Sequence, residues 1–160
     1  MIKINIISLG KLKEKYLRDA VEEYSKRISG YAKLGIIELE PEKLTENPSE
    51  SEIEAALKTE AEKIMKKLEG GSFTVAMCIE GKQMPSEELS HLMFEKVNGG
   101  TGVFNFIIGS SFGLHDSVKH AADLKFSFGA MTFPHQLFKV MLLEQIYRAF
   151  KINEGGRYHK

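Results

Sequence analysis

Residues 125–147 read KFSFGAMTFPHQLFKVMLLEQIY, and this stretch links a short apolar strand to a long apolar helix. The loop between them, residues 129–135, contains no acidic side chain, and His135 is its only basic one. Surface loops are normally more polar, because they face water. We therefore predict that this loop forms the wall of a pocket for a flat, mostly uncharged group such as adenine. A plain chain reversal is the alternative.

Along the rest of the chain, short apolar runs alternate with segments of helical periodicity. The apolar runs predict five strands, at residues 2–8, 35–40, 73–79, 103–108 and 124–128. Three- and four-residue spacing predicts five helices, at 12–28, from Ser49 or Ser51 to about 69, from Pro85 to about 98, at 116–122 and at 135–152. This alternation indicates βαβ units. We expect an α/β fold, a single domain over residues 1–160, with a mostly parallel sheet of five to six strands and helices on both faces.

Composition narrows the possible partners and surroundings of the chain. Lys and Arg together number 22, as do Asp and Glu, so the formal net charge is zero. Holding nucleic acid by bulk charge requires a basic surplus or a basic patch, which argues against a general nucleic-acid binder. Cys78 is the only cysteine, and no apolar run approaches 18 residues. We therefore expect a cytoplasmic protein without a disulfide or a membrane span.

The last predicted helix is apolar around almost its whole circumference. Only Lys139, Glu144, Gln145 and Arg148 interrupt the apolar residues between positions 137 and 150. A helix of this kind is buried on all sides, and a small domain rarely surrounds a helix completely. The pattern predicts a homodimer through this helix, with complete burial inside one subunit as the alternative.

Glycine-bearing loops follow the fourth and fifth predicted strands. The first reads GSSFG at residues 109–113, and the second begins at Gly129. Ligands of open α/β sheets bind at the carboxyl ends of the strands, and glycine allows the backbone to approach them closely. We therefore place the predicted pocket at these loops and at the end of the third strand, near Met77. Each loop taken alone is also compatible with simple chain reversal.

The GSSFG loop also matches the G-x-S-x-G pattern of serine hydrolases, with Ser111 as the nucleophile. Asp116 or Asp123, followed by His135 or His159, would complete a triad in hydrolase order. Two features weigh against this serine esterase hypothesis, because Gly113 delays the following helix and no HGGG segment precedes the loop. The chain contains no GxxxxGK[ST] motif, which argues against Walker-type nucleotide hydrolysis. Its five histidines lack metal-ligand spacing, so we expect no metal site.

The C-terminal tail, GGRYHK at residues 155–160, combines flexible glycines with a guanidinium, a phenol, an imidazole and an ammonium group. Such groups can stack on a nucleic acid base and bind phosphate. A frayed polar terminus is the alternative interpretation.

Taken together, the segments FIIGSSFGL, LKFSFGAMTFPHQL, EQIYRAFKI and the terminal YHK resemble the SPOUT-class methyltransferases. More narrowly, they resemble the bacterial large-subunit ribosomal RNA pseudouridine N3-methyltransferases, as does NIISLGKLKEKYL near the N-terminus, so that the likeness covers essentially the whole chain. The resemblance implies a C-terminal deep trefoil knot, an obligate dimer, and S-adenosylmethionine as cofactor bound in the knot.

The resemblance also implies which residues contact the cofactor. Transferred by position, the contacts are Met77, Gly109, Phe128, Gly129, Ala130, Met131, Thr132 and Phe133. The family usually has Gly-Gly-Ser where this chain has Gly109-Ser110-Ser111, and a side chain at Ser110 could crowd the pocket.

For catalysis we expect Arg148 to stabilise the charge that develops on the target base. We expect Tyr158 and His159, reaching from the same or the partner subunit, to grip and deprotonate it. His135 is expected to support the loop. Because the chain is neutral, we predict that the enzyme acts on ribosomal RNA within the assembled ribosome. A non-catalytic ribosome-binding dimer remains an alternative.

Overall fold

The computed structural model describes all 160 residues, and its five strands form one sheet in the order β2-β1-β4-β3-β5, with every neighbouring pair parallel. The strands are β1 (Ile2–Leu9), β2 (Ala32–Leu39), β3 (Phe73–Gln83), β4 (Val103–Ile108) and β5 (Leu124–Ser127). The helices are α1 (Lys15–Ile28), α2 (Glu50–Met65), α3 (Ser86–Asn98), α4 (Asp116–Ala121) and α5 (His135–Glu154). The predicted α/β class is confirmed, with five strands; the trefoil knot stays a prediction.

Alternate residues of each strand face opposite sides of the sheet, and this two-residue period builds two hydrophobic cores. In β4, Phe104 and Phe106 belong to the core that also contains apolar residues of α1, α3 and α5. Ile107, the residue after Phe106, points to the opposite face and belongs to the core that contains residues of α2 and α4. Helices therefore cover both faces of the sheet, as the sequence predicts.

Helix α5 lies against both α1 and α3 on one face of the sheet. Leu142, Leu143 and Ile146 are fully buried there, whereas Leu137 near its start remains 39% exposed. One subunit thus covers most of the helix but not all of it, and the homodimer stays a prediction. Neither α5 nor any other helix is long and apolar enough to cross a membrane.

Several element boundaries differ from those that the sequence predicts, including the end of α2, which lies at Met65 rather than near residue 69. Helix α1 begins at Lys15 rather than at residue 12, because the preceding loop contacts α5: Lys13 N donates to Gln136 Oε1 at 3.3 Å. Strand β2 begins at Ala32, three residues early, and β3 continues past Ile79 to Gln83. The β3 extension is charged and polar, so apolar patterning could not reveal it.

Strand β3 breaks its register beside β5. Phe126 is paired with Met77 and, after a shift, with Lys82, so the four residues 78–81 bulge out of the sheet. Gly81 is the last residue of the bulge, and there the β3 backbone comes very close to β5. An added Cβ on Gly81 would lie 2.6 Å from the Phe126 nitrogen and 2.7 Å from the Lys125 carbonyl carbon. Such contacts are with backbone, which cannot rotate away. The bulge therefore depends on glycine at this position.

Replacing Gly81 with alanine is expected to displace β5 or the bulge and to lower the free energy of unfolding by about 1–3 kcal/mol. Gly70→Ala is the matched control, because nothing lies within 4 Å of its added Cβ. Chemical denaturation of both variants measures the difference. Equal stabilities would contradict the assigned role of Gly81.

Candidate functional site

A cavity of about 690 Å³ opens where the carboxyl ends of β3, β4 and β5 meet. Its walls are the β3 bulge, the loop that follows β4 and the loop that leads into α5. Parallel α/β sheets bind ligands at this edge, and the volume lies within the range of roughly 300–1,000 Å³ that small-molecule sites span. The sequence prediction of a pocket formed by these loops agrees with this location.

The residues that resemblance assigns to the cofactor lie almost entirely on this cavity. Those that line it are Met77, Gly109, Phe128, Gly129, Met131, Thr132 and Phe133. Ala130 belongs to the same loop and is exposed, but it does not line the cavity. Whether these residues bind a cofactor remains a prediction. The structure shows that seven of the eight line the same cavity.

Glycine brings the backbone itself into the cavity wall. An added Cβ at Gly109 would lie 2.4 Å from the Gly113 carbonyl oxygen, which leaves no room for a side chain. The same loop is closed by a hydrogen bond from Gly113 N to the Ser110 carbonyl at 2.9 Å. At the second loop, Gly129 has φ +133°, a conformation that other residues rarely adopt. Both loops therefore require glycine where the sequence places it.

Aromatic side chains form an apolar wall opposite the bulge. The rings of Phe128 and Phe138 lie 4.8 Å apart between centroids, and Phe133 lies 6.4 Å from Phe138. All three line the cavity, and Met131 near them is 76% exposed. A flat heterocycle can bury its faces against such a wall while backbone groups contact its polar edge.

One ion pair, Lys119 of α4 with Glu80 of the bulge, also lines the cavity. The hydrogen bond to Lys119 lowers the pKa of Glu80. Burial alone would lower the pKa of Lys119, but its bond to Glu80 and the charge of that carboxylate raise it overall. Both groups are therefore charged at neutral pH, so the cavity presents one cation and one anion among its apolar side chains, hydroxyl groups and the His135 ring.

Ser110, the residue that departs from the family pattern, also lines the cavity. Its hydroxyl donates to Glu60 Oε1 of α2 at 3.2 Å. The polar end of the side chain is thus bonded to a helix beneath the loop.

The three predicted catalytic residues, Arg148, Tyr158 and His159, lie together, but none of them lines the 690 Å³ cavity. The Arg148 guanidinium carbon lies 4.7 Å from the centroid of the Tyr158 ring. Arg148 Nη1 lies 3.2 Å from His159 Nδ1, and His159 Nε2 lies 2.6 Å from Glu87 Oε1. Because a guanidinium only donates, Nδ1 accepts and Nε2–H donates to Glu87. The tail is therefore folded onto α3 and α5 of its own subunit.

Glu144 holds this cluster from one turn earlier on α5. Its Oε1 accepts from Arg148 Nε at 2.8 Å and from Arg148 Nη2 at 2.5 Å, while its Oε2 is buried without a hydrogen-bond partner. The bond to Glu144 raises the pKa of Arg148. Burial, followed by the Glu144 charge, raises the pKa of Tyr158. The phenol is therefore protonated at neutral pH and suited to donate a hydrogen bond rather than to act as the base.

A second cavity, of about 640 Å³, borders both the first cavity and the Glu144–Arg148 cluster. Phe126, Ser127 and Phe128 line both cavities, so the end of β5 is their shared wall. Glu144 lines the second cavity, next to the tail cluster. The molecule thus places a largely apolar cavity and a charged cluster on either side of one strand end.

The esterase hypothesis finds no triad in the structure. Ser111 is exposed and forms no hydrogen bond with a histidine, although His135 lines the same cavity. Asp123 is engaged in the sheet, where its carboxylate accepts from Thr74 N at 2.7 Å. His115 caps α4 by accepting from Ser117 N at 3.1 Å. No group of three or more His, Cys, Asp and Glu residues is placed to hold a metal ion.

The sequence alone does not assign Glu60, Glu87 or Glu144 to the site, although Glu144 lies four residues before Arg148 in the last predicted helix. That spacing was the one available signal, because a carboxylate one turn before an arginine on a helix pairs with it. Glu60 and Glu87 act across 50 and 72 residues of sequence, respectively, and no local pattern marks them.

The fold and the cavity define an α/β protein with a nucleoside-sized site at the carboxyl ends of parallel strands. A family model described as "Predicted SPOUT methyltransferase" matches residues 2–159. Over 159 residues the chain is 49% identical to ribosomal RNA large subunit methyltransferase H of Streptococcus suis (strain 05ZYH33), and 48% identical to the protein of that name from Carboxydothermus hydrogenoformans. Each alignment covers 99% of this chain and 100% of the relative.

Among solved structures, a "probable methylase family protein" from Haemophilus influenzae Rd KW20 shares the fold, with a TM-score of 0.54 at 14% identity. The alignment covers 98% of this chain and 70% of that one. The chain belongs to the SPOUT methyltransferase family. SPOUT methyltransferases use S-adenosylmethionine as the methyl donor.

Proposed function

We propose that this protein transfers the methyl group of S-adenosylmethionine to N3 of a pseudouridine in large-subunit ribosomal RNA. The observation that carries the proposal is the 690 Å³ cavity, in which apolar rings and bare glycine backbone meet at the carboxyl ends of β3, β4 and β5. The names of the two relatives, ribosomal RNA large subunit methyltransferases H, support the substrate class. Their near-complete coverage supports transfer of that function to the whole chain.

The cavity fits the methyl donor in shape and chemistry. Backbone N–H and C=O groups of the loops at Gly109 and Gly129 would hold the adenine, together with the rings of Phe128 and Phe133. Thr132 offers a hydroxyl, and the Lys119–Glu80 pair offers a charge of each sign to the zwitterionic end. When bound, S-adenosylmethionine supplies an electrophilic methyl group.

The acceptor is a ring nitrogen that must lose its proton. Arg148, whose charge is secured by Glu144, stabilises the negative charge left on the imide. Tyr158 donates a hydrogen bond to the base, since its raised pKa keeps the phenol protonated at neutral pH. His159 is the remaining titratable group of the predicted set and the one we assign to proton removal. Its Nδ1 becomes available once the contact with Arg148 opens.

The tail cluster and the donor cavity face different sides of the β5 end, so transfer requires the two to meet. A homodimer through α5 would place the tail of one subunit next to the donor cavity of the other. The exposed Leu137 at the start of α5 and Met131 in the adjoining loop support such an apolar contact. The trefoil knot would hold the donor loops rigid. Because the proposed substrate is ribosomal RNA, we expect the activity in the cytoplasm.

Deleting residues 157–160 is expected to reduce methylation by at least about 100-fold, because the phenol and imidazole that handle the base are lost. Affinity for S-adenosylmethionine should stay within about 2-fold of wild type, since none of these residues lines the donor cavity. Transfer of labelled methyl to ribosomes and calorimetric titration measure the two effects. Full turnover by the truncated protein would refute the assigned role of the tail.

The neutral chain is expected to methylate ribosomes at least about 100-fold faster than an isolated RNA hairpin at about 0.15 M salt, because its charge gives little grip on naked RNA. Mass spectrometry of the target nucleoside provides the rate and the site. Comparable rates on the free hairpin would contradict the predicted need for an assembled particle. Binding to ribosomes without methyl transfer would instead support the non-catalytic alternative.

A further inference from the structure

A buried carboxylate lies directly beneath the loop that follows β4. Glu60 of α2 is only 4% exposed and forms no salt bridge with a lysine, arginine or histidine. Its Oε2 accepts from Glu42 N at 2.9 Å, and its Oε1 accepts from Ser110 Oγ at 3.2 Å. Burying a carboxylate without a cation is costly, so it needs both of these hydrogen bonds. The hydrophobic core on this face gives no reason for a charge here.

The two bonds of Glu60 connect segments that are far apart in sequence. Glu42 belongs to the connector after β2, which Lys63 of α2 also holds, through Glu42 Oε1 at 2.7 Å and the Glu40 carbonyl at 3.0 Å. Ser110 belongs to the loop that lines the donor cavity. Two side chains of α2, Glu60 and Lys63, therefore form hydrogen bonds or ion pairs with the connector. Only Glu60 forms a hydrogen bond with the 109–113 loop, called the donor loop below.

The donor loop depends on how Ser110 is held. Gly109 packs directly against the Gly113 carbonyl, and a hydrogen bond from Gly113 N to the Ser110 carbonyl closes the loop. The two residues that follow Ser110, Ser111 and Phe112, are exposed. Ser110 is thus the point at which the loop is bonded to the body of the protein from below.

We propose that Glu60 is a positioning residue for methyl-donor binding, which it serves by fixing the 109–113 loop through the Ser110 hydroxyl. Ser110 then compensates for its own bulk, because its hydroxyl is held by α2 and does not occupy the cavity. This inference rests on the proposed function in that it takes the 690 Å³ cavity to be the donor site.

The test is a double-mutant cycle of Ser110→Ala, Glu60→Ala and the double variant, with S-adenosylmethionine affinity measured by calorimetry on the full-length protein. Each single variant should bind the donor about 3- to 10-fold more weakly, the loss expected for one hydrogen bond that holds a binding loop. The double variant should be no weaker than the single ones, because both remove the same interaction. Glu60→Gln, whose amide oxygen can accept from Glu42 N while its NH2 group donates to the Ser110 hydroxyl, should restore most of the affinity.

Lys63→Met is the matched control, since it removes one of the two side chains that bond α2 to the connector and does not touch the 109–113 loop. It should leave donor affinity unchanged. Amide hydrogen exchange at Gly113, measured without the donor, gives an independent readout: exchange should accelerate in Ser110→Ala and Glu60→Ala, and not in Lys63→Met. This readout and Ser110→Ala remain informative if Glu60→Ala fails to fold.

Wild-type affinity and unchanged Gly113 exchange in Ser110→Ala would overturn the inference, as would equal losses in Lys63→Met. Additive losses in the double variant would also overturn it, because Glu60 and Ser110 would then act separately. A wild-type protein that does not bind S-adenosylmethionine at all would instead refute the proposed function, which keeps the two failures distinguishable.

Discussion

The structure depends on how β5, a strand of only four residues, is seated against a broken β3. Phe126 meets β3 twice, at Met77 and at Lys82, and Gly81 allows the contact because no side chain separates the two backbones. The residues expelled by this arrangement form one wall of the donor cavity. The end of β5 forms the partition between that cavity and its neighbour. Moving this short strand would disturb both.

The proposed donor site and the proposed catalytic residues lie on different sides of the β5 end. On one side, glycine backbone and aromatic rings offer a donor site with few charges, as suits an adenine. On the other side, Glu144, Arg148 and the C-terminal tail form a charged cluster suited to an acidic imide. Each side alone is incomplete for the proposed reaction, because Arg148, Tyr158 and His159 do not line the donor cavity and their cluster contains no donor site. The proposed second subunit would join them and would also cover Leu137, the apolar residue of α5 that its own subunit leaves exposed.

Local sequence pattern was sufficient for most of the fold and for the position of the cavity. Strand β4 has the predicted bounds, because its six residues are almost all apolar and buried. The sequence indicates the pocket loops because they are rich in apolar residues and glycine directly after a strand, whereas a surface loop is normally polar. The end of β3 was missed, since Glu80, Lys82 and Gln83 lie in a strand without an apolar period. Glu60 was missed because its partners are decided by tertiary packing, which places α2 beneath a loop 50 residues away.

The central claim is that the cavity bounded by the β3 bulge and the loops at Gly109 and Gly129 receives the methyl donor through main-chain contacts. A crystal structure of the protein soaked with S-adenosylmethionine tests it most directly. We expect adenine density against Phe128 and Phe133, with hydrogen bonds from its edge to backbone atoms of the two glycine loops. Donor density in the second cavity, or none while the protein's own side chains fill the first, would contradict the account.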